Sequence, residues 1–316
     1  MQGLLKSKSP LNQFLVLICI ALVSFFVIGL AGTMIISKMT GIDMLTMGDP
    51  SKWDIKDGRY ATVLRGFQLA QFIGLFLVPA LICAHLFSTD RKKYLGLNMP
   101  GNGPYVVAAV GILLVAIPLV NLLGQWNQQV QFPPSIEKWL QEQEQQAART
   151  VKFLLSRHDT KDIILNVVFI AGLAAVGEEL LFRGIVQRLL IKMFKSPVAG
   201  ILVTAFLFSA MHMQFYGFLP RFMLGILLGY IYWYSGSLWL AILAHFVYDA
   251  LLIVIVSYNP NTMDGDADLK MSNLAVAGAL SLATVVAIFI WMRKRSKTTY
   301  ETVYADDAIP VKNHPF

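Results

Sequence analysis

From Gly177 to Gly184 the chain reads Gly-Glu-Glu-Leu-Leu-Phe-Arg-Gly, which sets two carboxylates and a guanidinium inside an otherwise apolar stretch. Ionisable groups buried in lipid are expensive unless they are paired or used in chemistry. Glu178 and Glu179 are neighbours, so on a helix they point about 100° apart and cannot share one task. Glu179 and Arg183 are four apart and lie on one face, where the arginine neutralises the glutamate. Glu178 then faces elsewhere without a local cation, which suits a general base acting on water near neutral pH.

Two later segments supply imidazoles. Phe208-Ser209-Ala210-Met211-His212 ends in one, and His245-Phe246-Val247-Tyr248-Asp249 puts His245 and Asp249 one turn apart. In that placement Asp249 either fixes the histidine tautomer or acts beside it as a ligand. Each feature alone has a plainer reading, as a hydrogen-bonded core histidine or an ion pair that staples two helices. Six such groups within apolar sequence argue for one site, with Glu178, His212 and His245 converging from three helices.

These groups need a scaffold, and composition limits which kind. The chain has 316 residues, 56% hydrophobic and 14% charged, which is too little charge to cover a soluble surface. The net charge of +7 comes largely from short runs beside apolar segments, such as Arg91 to Lys93 and Arg293 to Lys297. That pattern sets membrane topology and excludes a nucleic-acid partner. Cys19 and Cys83 lie within apolar runs, unsuited to a disulfide framework or a Cys-rich metal site. Lys6 and Lys8 precede an apolar run from Leu11 to Ile36, too long for a signal-peptide core and read as a retained first transmembrane helix.

The expected fold is all-α, a polytopic transmembrane bundle of about eight helices with a membrane-embedded catalytic cavity. The spans are Leu11 to Ser37, Ala61 to Phe87, Tyr105 to Leu123, Ile163 to Met193, Pro197 to Met213, Pro220 to Tyr234, Leu238 to Val256 and Leu274 to Met292. The fifth and sixth are short, and Gly217 with Pro220 makes them a candidate broken or re-entrant pair. Basic loops all fall on one side, and the acidic Asp264, Asp266 and Asp268 on the other, which predicts a multi-pass protein of the cell membrane with both termini cytoplasmic. Five regions result: N-terminal helices (1–124), a polar extramembrane connection (125–161), catalytic helices (162–258), a loop and last helix (259–297) and a disordered cytoplasmic tail (298–316). The connection is a solvated surface helix, with Trp139 and Leu140 touching the interface. Tyr232, Trp233 and Tyr234 read as an interfacial belt.

The Glu-Glu-x-x-x-Arg of Glu178, Glu179 and Arg183, the Phe-x-x-x-His of Phe208 and His212, and the His-x-x-x-Asp of His245 and Asp249 resemble the CPBP family of intramembrane proteases, which includes CAAX proteases and bacteriocin-processing proteins. The resemblance covers Asp162 to Val256. It implies an endopeptidase acting near or within the membrane on a peptide or membrane-protein substrate, lipidated in the prenyl-protein proteases. Carried over by motif, Glu178 activates the water, Glu179 and Arg183 support it, and His212 and His245 hold the water or a metal. Asp249 stands where the family often has asparagine. An asparagine amide donates to an oxyanion, and an ionised aspartate does not.

Two chemistries stay open. Zinc (Zn2+) or another divalent cation on His212, His245 and Glu178, with Asp249 as a further ligand, is one; metal-free general-base hydrolysis is the other. Ser209 lacks the setting of a nucleophile, and no second aspartate motif completes an aspartyl site. Outside enzymes, the alternatives are a proton-coupled transporter component, which requires a polar path through the bilayer, and a non-catalytic scaffold or immunity protein. Membrane lipids are partners in every reading.

Overall fold

A computed structural model of the chain describes residues 2–44, 47–48, 52–259 and 271–304. The protein is 82% helix and, among the described residues, has no strand. Among the described residues, seven helices are long and apolar enough to cross a membrane. They are α1 (Pro10–Thr40), α2 (Gly58–Phe87), α3 (Pro104–Gln128), α5 (Thr160–Phe194), α7 (Phe215–Ser235), α8 (Leu238–Tyr258) and α9 (Met271–Arg295). Between them lie the polar helix α4 (Pro134–Leu155) and a shorter apolar helix, α6 (Pro197–Met211). The chain is a multi-pass membrane bundle, as its apolar runs predict.

Helix ends follow local chemistry. Ser9 caps α1 through its hydroxyl with Pro10 in the first turn, and Gly41 ends it at φ 67°. On the outer face of α1, Val23, Phe26, Leu30 and Met34 are exposed, an arrangement suited to lipid and not to water. The face turned inward is held by hydrogen bonding: Ser24 Oγ donates to Gly74 O at 2.5 Å. Such bonds between membrane helices contribute about 0.6 kcal/mol on average.

The sixth expected span, Pro220 to Tyr234, proves longer, because the chain becomes helical at Phe215, and Pro220 falls in the first turn of the main α-helical run, Phe218–Ser235, where its missing N–H costs nothing. α6 is the short member, and it packs against α7 as a hairpin turned at His212 and Met213, the latter at φ 54°. Small residues allow close approach: a Cβ on Gly225 of α7 would stand 2.9 Å from Ala205 Cβ of α6, and one on Gly200 of α6 would stand 2.7 Å from Ile191 N of α5.

α5 is interrupted by two π-helical segments, Val167–Gly172 and Phe182–Gln187, which flank the α-helical stretch Leu173–Leu181. A π segment shifts the register of every residue beyond it. Two cores fill the bundle, and Tyr232 of α7 packs against both. One gathers Phe76, Cys83, Phe87, Leu180, Ile185 and Phe208. The other gathers Ile112, Leu228, Ile231, Ala241, Tyr248 and Val285.

The basic runs collect at one end of the bundle. Gly3 N donates to His85 O, Leu238 N to Gly96 O and Ser296 Oγ to Tyr234 O, which places Lys6, Arg91 to Lys93 and Arg293 to Lys297 near one another. At the other end Leu219 N donates to Asn127 Oδ1, and the connection 125–161 returns as α4. Its Leu140, Phe153, Leu154 and Leu155 are buried while Trp139 is exposed, so α4 lies on the bundle by one apolar edge. There Asp162 pairs with Arg65 at 2.8 Å and with Arg157 at 2.9 Å.

Of the tail from Thr298 onward, residues 298–304 are described. Tyr300–Tyr304 form a helical turn, and Tyr304 donates its hydroxyl to Arg188 O at 2.6 Å while its ring lies under the Arg188 guanidinium. Two aromatic rings and a cation offset the low apolar content of this stretch. Residues 305–316 and the acidic group Asp264, Asp266 and Asp268 lie outside the described residues.

Candidate active site

All six residues singled out from sequence come together. Glu178 and Glu179 stand on consecutive positions of α5 and diverge as helical geometry demands. Glu179 turns inward and is fully buried, and its Oε1 accepts from Arg183 Nη1 at 2.6 Å across one turn. Arg183 is also fully buried; its Nη2 donates to Gly225 O at 3.0 Å, and its guanidinium lies 4.8 Å from the Phe208 ring centroid. The pair therefore anchors α5 to α6 and α7.

Sequence spacing does not reveal the next contact. Glu179 Oε1 also accepts from His245 Nδ1 on α8 at 3.1 Å. Glu179 thus supports the imidazole of His245 more directly than it supports Glu178. Asp249, one turn along α8, meets the opposite nitrogen, with Oδ2 3.3 Å from His245 Nε2. His245 is held between two carboxylates, one on each ring nitrogen.

His212 ends α6, where its Nδ1 stands 2.9 Å from Phe208 O. A carbonyl only accepts, so this nitrogen carries the hydrogen and Nε2 presents a lone pair to the cavity. Glu178 faces both rings: Oε1 is 4.0 Å from His212 Nε2, and Oε2 is 4.0 Å from His245 Nε2. These gaps are too long for direct hydrogen bonds and of the right size for a bridging water.

The three side chains open into one cavity of about 250 Å³, whose lining also includes Asp249, Tyr248, Leu113, Ile170, Leu224 and Arg221. Its walls are otherwise apolar, so charges inside it are poorly screened. Among the described residues no three His, Cys, Asp or Glu side chains gather as a metal-ligand set. Arg221, whose Nη1 and Nη2 donate to Gln214 O at 3.0 Å and Gln214 Oε1 at 2.6 Å, is the charged lining residue that motif reading misses. Its signal was an arginine within an apolar span with no acid one turn away.

Residues 160–251 match the model of the Rce1-like family, described as type II CAAX prenyl endopeptidase Rce1-like. The similarity is confined to this stretch. The matched segment begins with α5 and ends just beyond Asp249, so it contains all six residues described above. It agrees with the resemblance carried by the three motifs. The uncharacterized protein YpbD of Bacillus subtilis (strain 168) is 29% identical over 96 residues, which cover 29% of this chain and 46% of that protein. The match therefore spans less than half of that relative's length. No solved structure matches the chain.

Proposed function

We propose that this protein is an intramembrane endopeptidase of the CAAX type, in which Glu178 activates water. The observation that carries the reading is the position of Glu178, with each carboxylate oxygen 4.0 Å from a histidine Nε2 inside one small cavity. A water in the gap donates one hydrogen to Glu178 Oε1 and the other to His212 Nε2, leaving a lone pair for the scissile carbonyl carbon. Glu178 takes the proton as the carbon–oxygen bond forms. His245, with a hydrogen on Nδ1 for Glu179 and one on Nε2 shared with Asp249, donates to the oxyanion that develops. The carbon–nitrogen bond then breaks, Glu178 returns its proton to the leaving amine, and the site regains its starting state. Protein groups alone hold the water in this scheme.

The fit of a relay transporter is poorer, because the ionisable groups share one cavity instead of lining a path between the two ends of the bundle. We place both termini in the cytoplasm of a cell membrane, from the collection of basic runs at one end. The test is to reconstitute the protein in liposomes and incubate it with a pool of peptides, free and prenylated, while mass spectrometry reads new termini. Defined cleavage products are expected, with prenylated members showing whether lipid is part of recognition. A pool left intact under all conditions contradicts the proposal and returns the scaffold reading to the front.

A further inference from the structure

The basic end of the bundle holds a second cavity, of about 220 Å³, which shares no lining residue with the one that Glu178 faces. Three cationic side chains line it: Lys93 from the loop after α2, Arg188 from α5 and Lys297 from the segment after α9. The hydroxyl-bearing Thr298 and Thr302 and the amide-bearing Asn98 line it as well. Charged and neutral donors from three separate parts of the chain thus converge on one space. Arg188 is buried, and its guanidinium lies against two rings, 4.5 Å from the Tyr94 centroid and 5.1 Å from that of Tyr304. Stacking of this kind fixes the plane of the guanidinium fork. The Tyr304 hydroxyl donates to Arg188 O at 2.6 Å, so the helical turn Tyr300–Tyr304, which supplies Thr302, forms one wall of the cavity. Like charges around one space repel one another, and an anion placed among them removes that repulsion.

We propose that this cavity is a binding site for an anionic phosphate group, taken up at the membrane surface by Lys93, Arg188 and Lys297. Arginine meets phosphate oxygens with a fork of N–H donors and lysine with a point charge, and the cavity holds both. Basic pockets between membrane helices take phospholipid headgroups, and Trp233, which also lines this one, is of a residue type that settles at headgroup depth. The volume lies below the roughly 300–1,000 Å³ of pockets for drug-sized ligands, so the cavity admits a phosphate with a small substituent. That phosphate comes either from a lipid headgroup or from a soluble phosphate, and both present the same oxygens. Because the three cations belong to three parts of the chain, the bound group ties the segment after α9 to α5, the helix that carries Glu178. The site stands apart from the endopeptidase reading, and so does its test.

The experiment titrates full-length protein in a neutral detergent with short-chain phosphatidylglycerol, short-chain phosphatidylcholine or inorganic phosphate. Binding is read as the rise in thermal midpoint that a ligand of the folded state produces, which gives an apparent affinity for each probe. Phosphatidylglycerol or inorganic phosphate is expected to raise the midpoint saturably, and phosphatidylcholine, whose choline cancels the charge, to do so only at about tenfold higher concentration or more. A response to inorganic phosphate identifies a soluble ligand, and a response to phosphatidylglycerol alone identifies a headgroup. Lys297→Gln and Lys93→Gln, both at exposed positions, are each expected to weaken the apparent affinity about tenfold, as is the buried Arg188→Gln. Arg91→Gln removes an equal charge at the same end of the bundle from a residue that does not line the cavity, and is expected to change it less than about twofold. Each affinity is compared with the unliganded midpoint of the same variant, so a general loss of stability cancels. No saturable rise with either anion, a rise equal for phosphatidylcholine, or equal weakening by Arg91→Gln and Lys297→Gln overturns the proposal.

Discussion

His245 and Glu179 meet across two helices 66 residues apart in sequence, with Nδ1 3.1 Å from Oε1, and this contact ties the buried ion pair of α5 to the imidazole that faces the cavity. Glu179 therefore serves two partners through one oxygen, since Arg183 Nη1 reaches the same atom at 2.6 Å. Loss of either partner is expected to disturb both.

Arg183→Met leaves a buried carboxylate without its cation and is expected to cost about 3–5 kcal/mol of stability. Removing the charges together, as Glu179→Leu with Arg183→Met, is expected to cost less than the single change. Thermal unfolding of the detergent-solubilised variants measures this, and a double variant that loses as much as the sum of the singles argues against a coupled pair.

Asp249 stands 3.3 Å from His245 Nε2, on the cavity side of the ring. An asparagine there keeps the shape and supplies an amide donor, so Asp249→Asn is expected to keep kcat/KM within about tenfold, whereas Asp249→Ala is expected to lose about a hundredfold or more. The comparison needs only one cleaved peptide, and equal losses in the two variants would remove Asp249 from the scheme.

Much of this arrangement is legible in the amino-acid sequence, and the physical reasons for the rest are specific. Spacings of four residues bring Glu179 to Arg183 and His245 to Asp249, because helical neighbours are fixed by pitch alone. The apolar runs place α1, α2, α3, α5, α8 and α9 within a few residues of their ends, because lipid demands that length. The contact between His245 and Glu179 depends on how α5 packs against α8, which no local pattern encodes. The π segments of α5 have no marker in composition, and they set the register of Arg183 and Gln187. Arg221 escapes motif reading because its partner Gln214 is neutral and seven residues away.

Away from the site, Asp162 is the shared counter-ion of Arg65 and Arg157, at 2.8 and 2.9 Å, and all three join α2, α5 and the end of the α4 connection. Asp162→Ala leaves two cations facing each other, one of them buried, and is expected to lower stability by about 3 kcal/mol or more. A thermal midpoint within a degree or two of wild type would show that this network is dispensable.

Gly200 faces the backbone of α5, where a Cβ would lie 2.7 Å from Ile191 N. Backbone cannot yield as a side-chain tip does, so Gly200→Ala is expected to separate α6 from α5 at a cost of about 1–3 kcal/mol. Because α6 carries His212, activity is expected to fall with it. An alanine variant as stable and as active as wild type would mean that the α5 and α6 contact is looser than these distances state.

The most direct test of the account is the rate of peptide hydrolysis by the reconstituted protein with Glu178→Gln beside wild type, each with and without prior treatment by a strong chelator. The glutamine keeps the size and hydrogen bonding of the side chain and removes its basicity, so the rate is expected to fall by a factor of about 10² to 10⁴, and the wild-type rate is expected to survive the chelator. A Glu178→Gln protein that cuts at the wild-type rate would contradict the role given to Glu178, and a wild-type rate abolished by the chelator and restored by zinc would contradict a water held by protein groups alone.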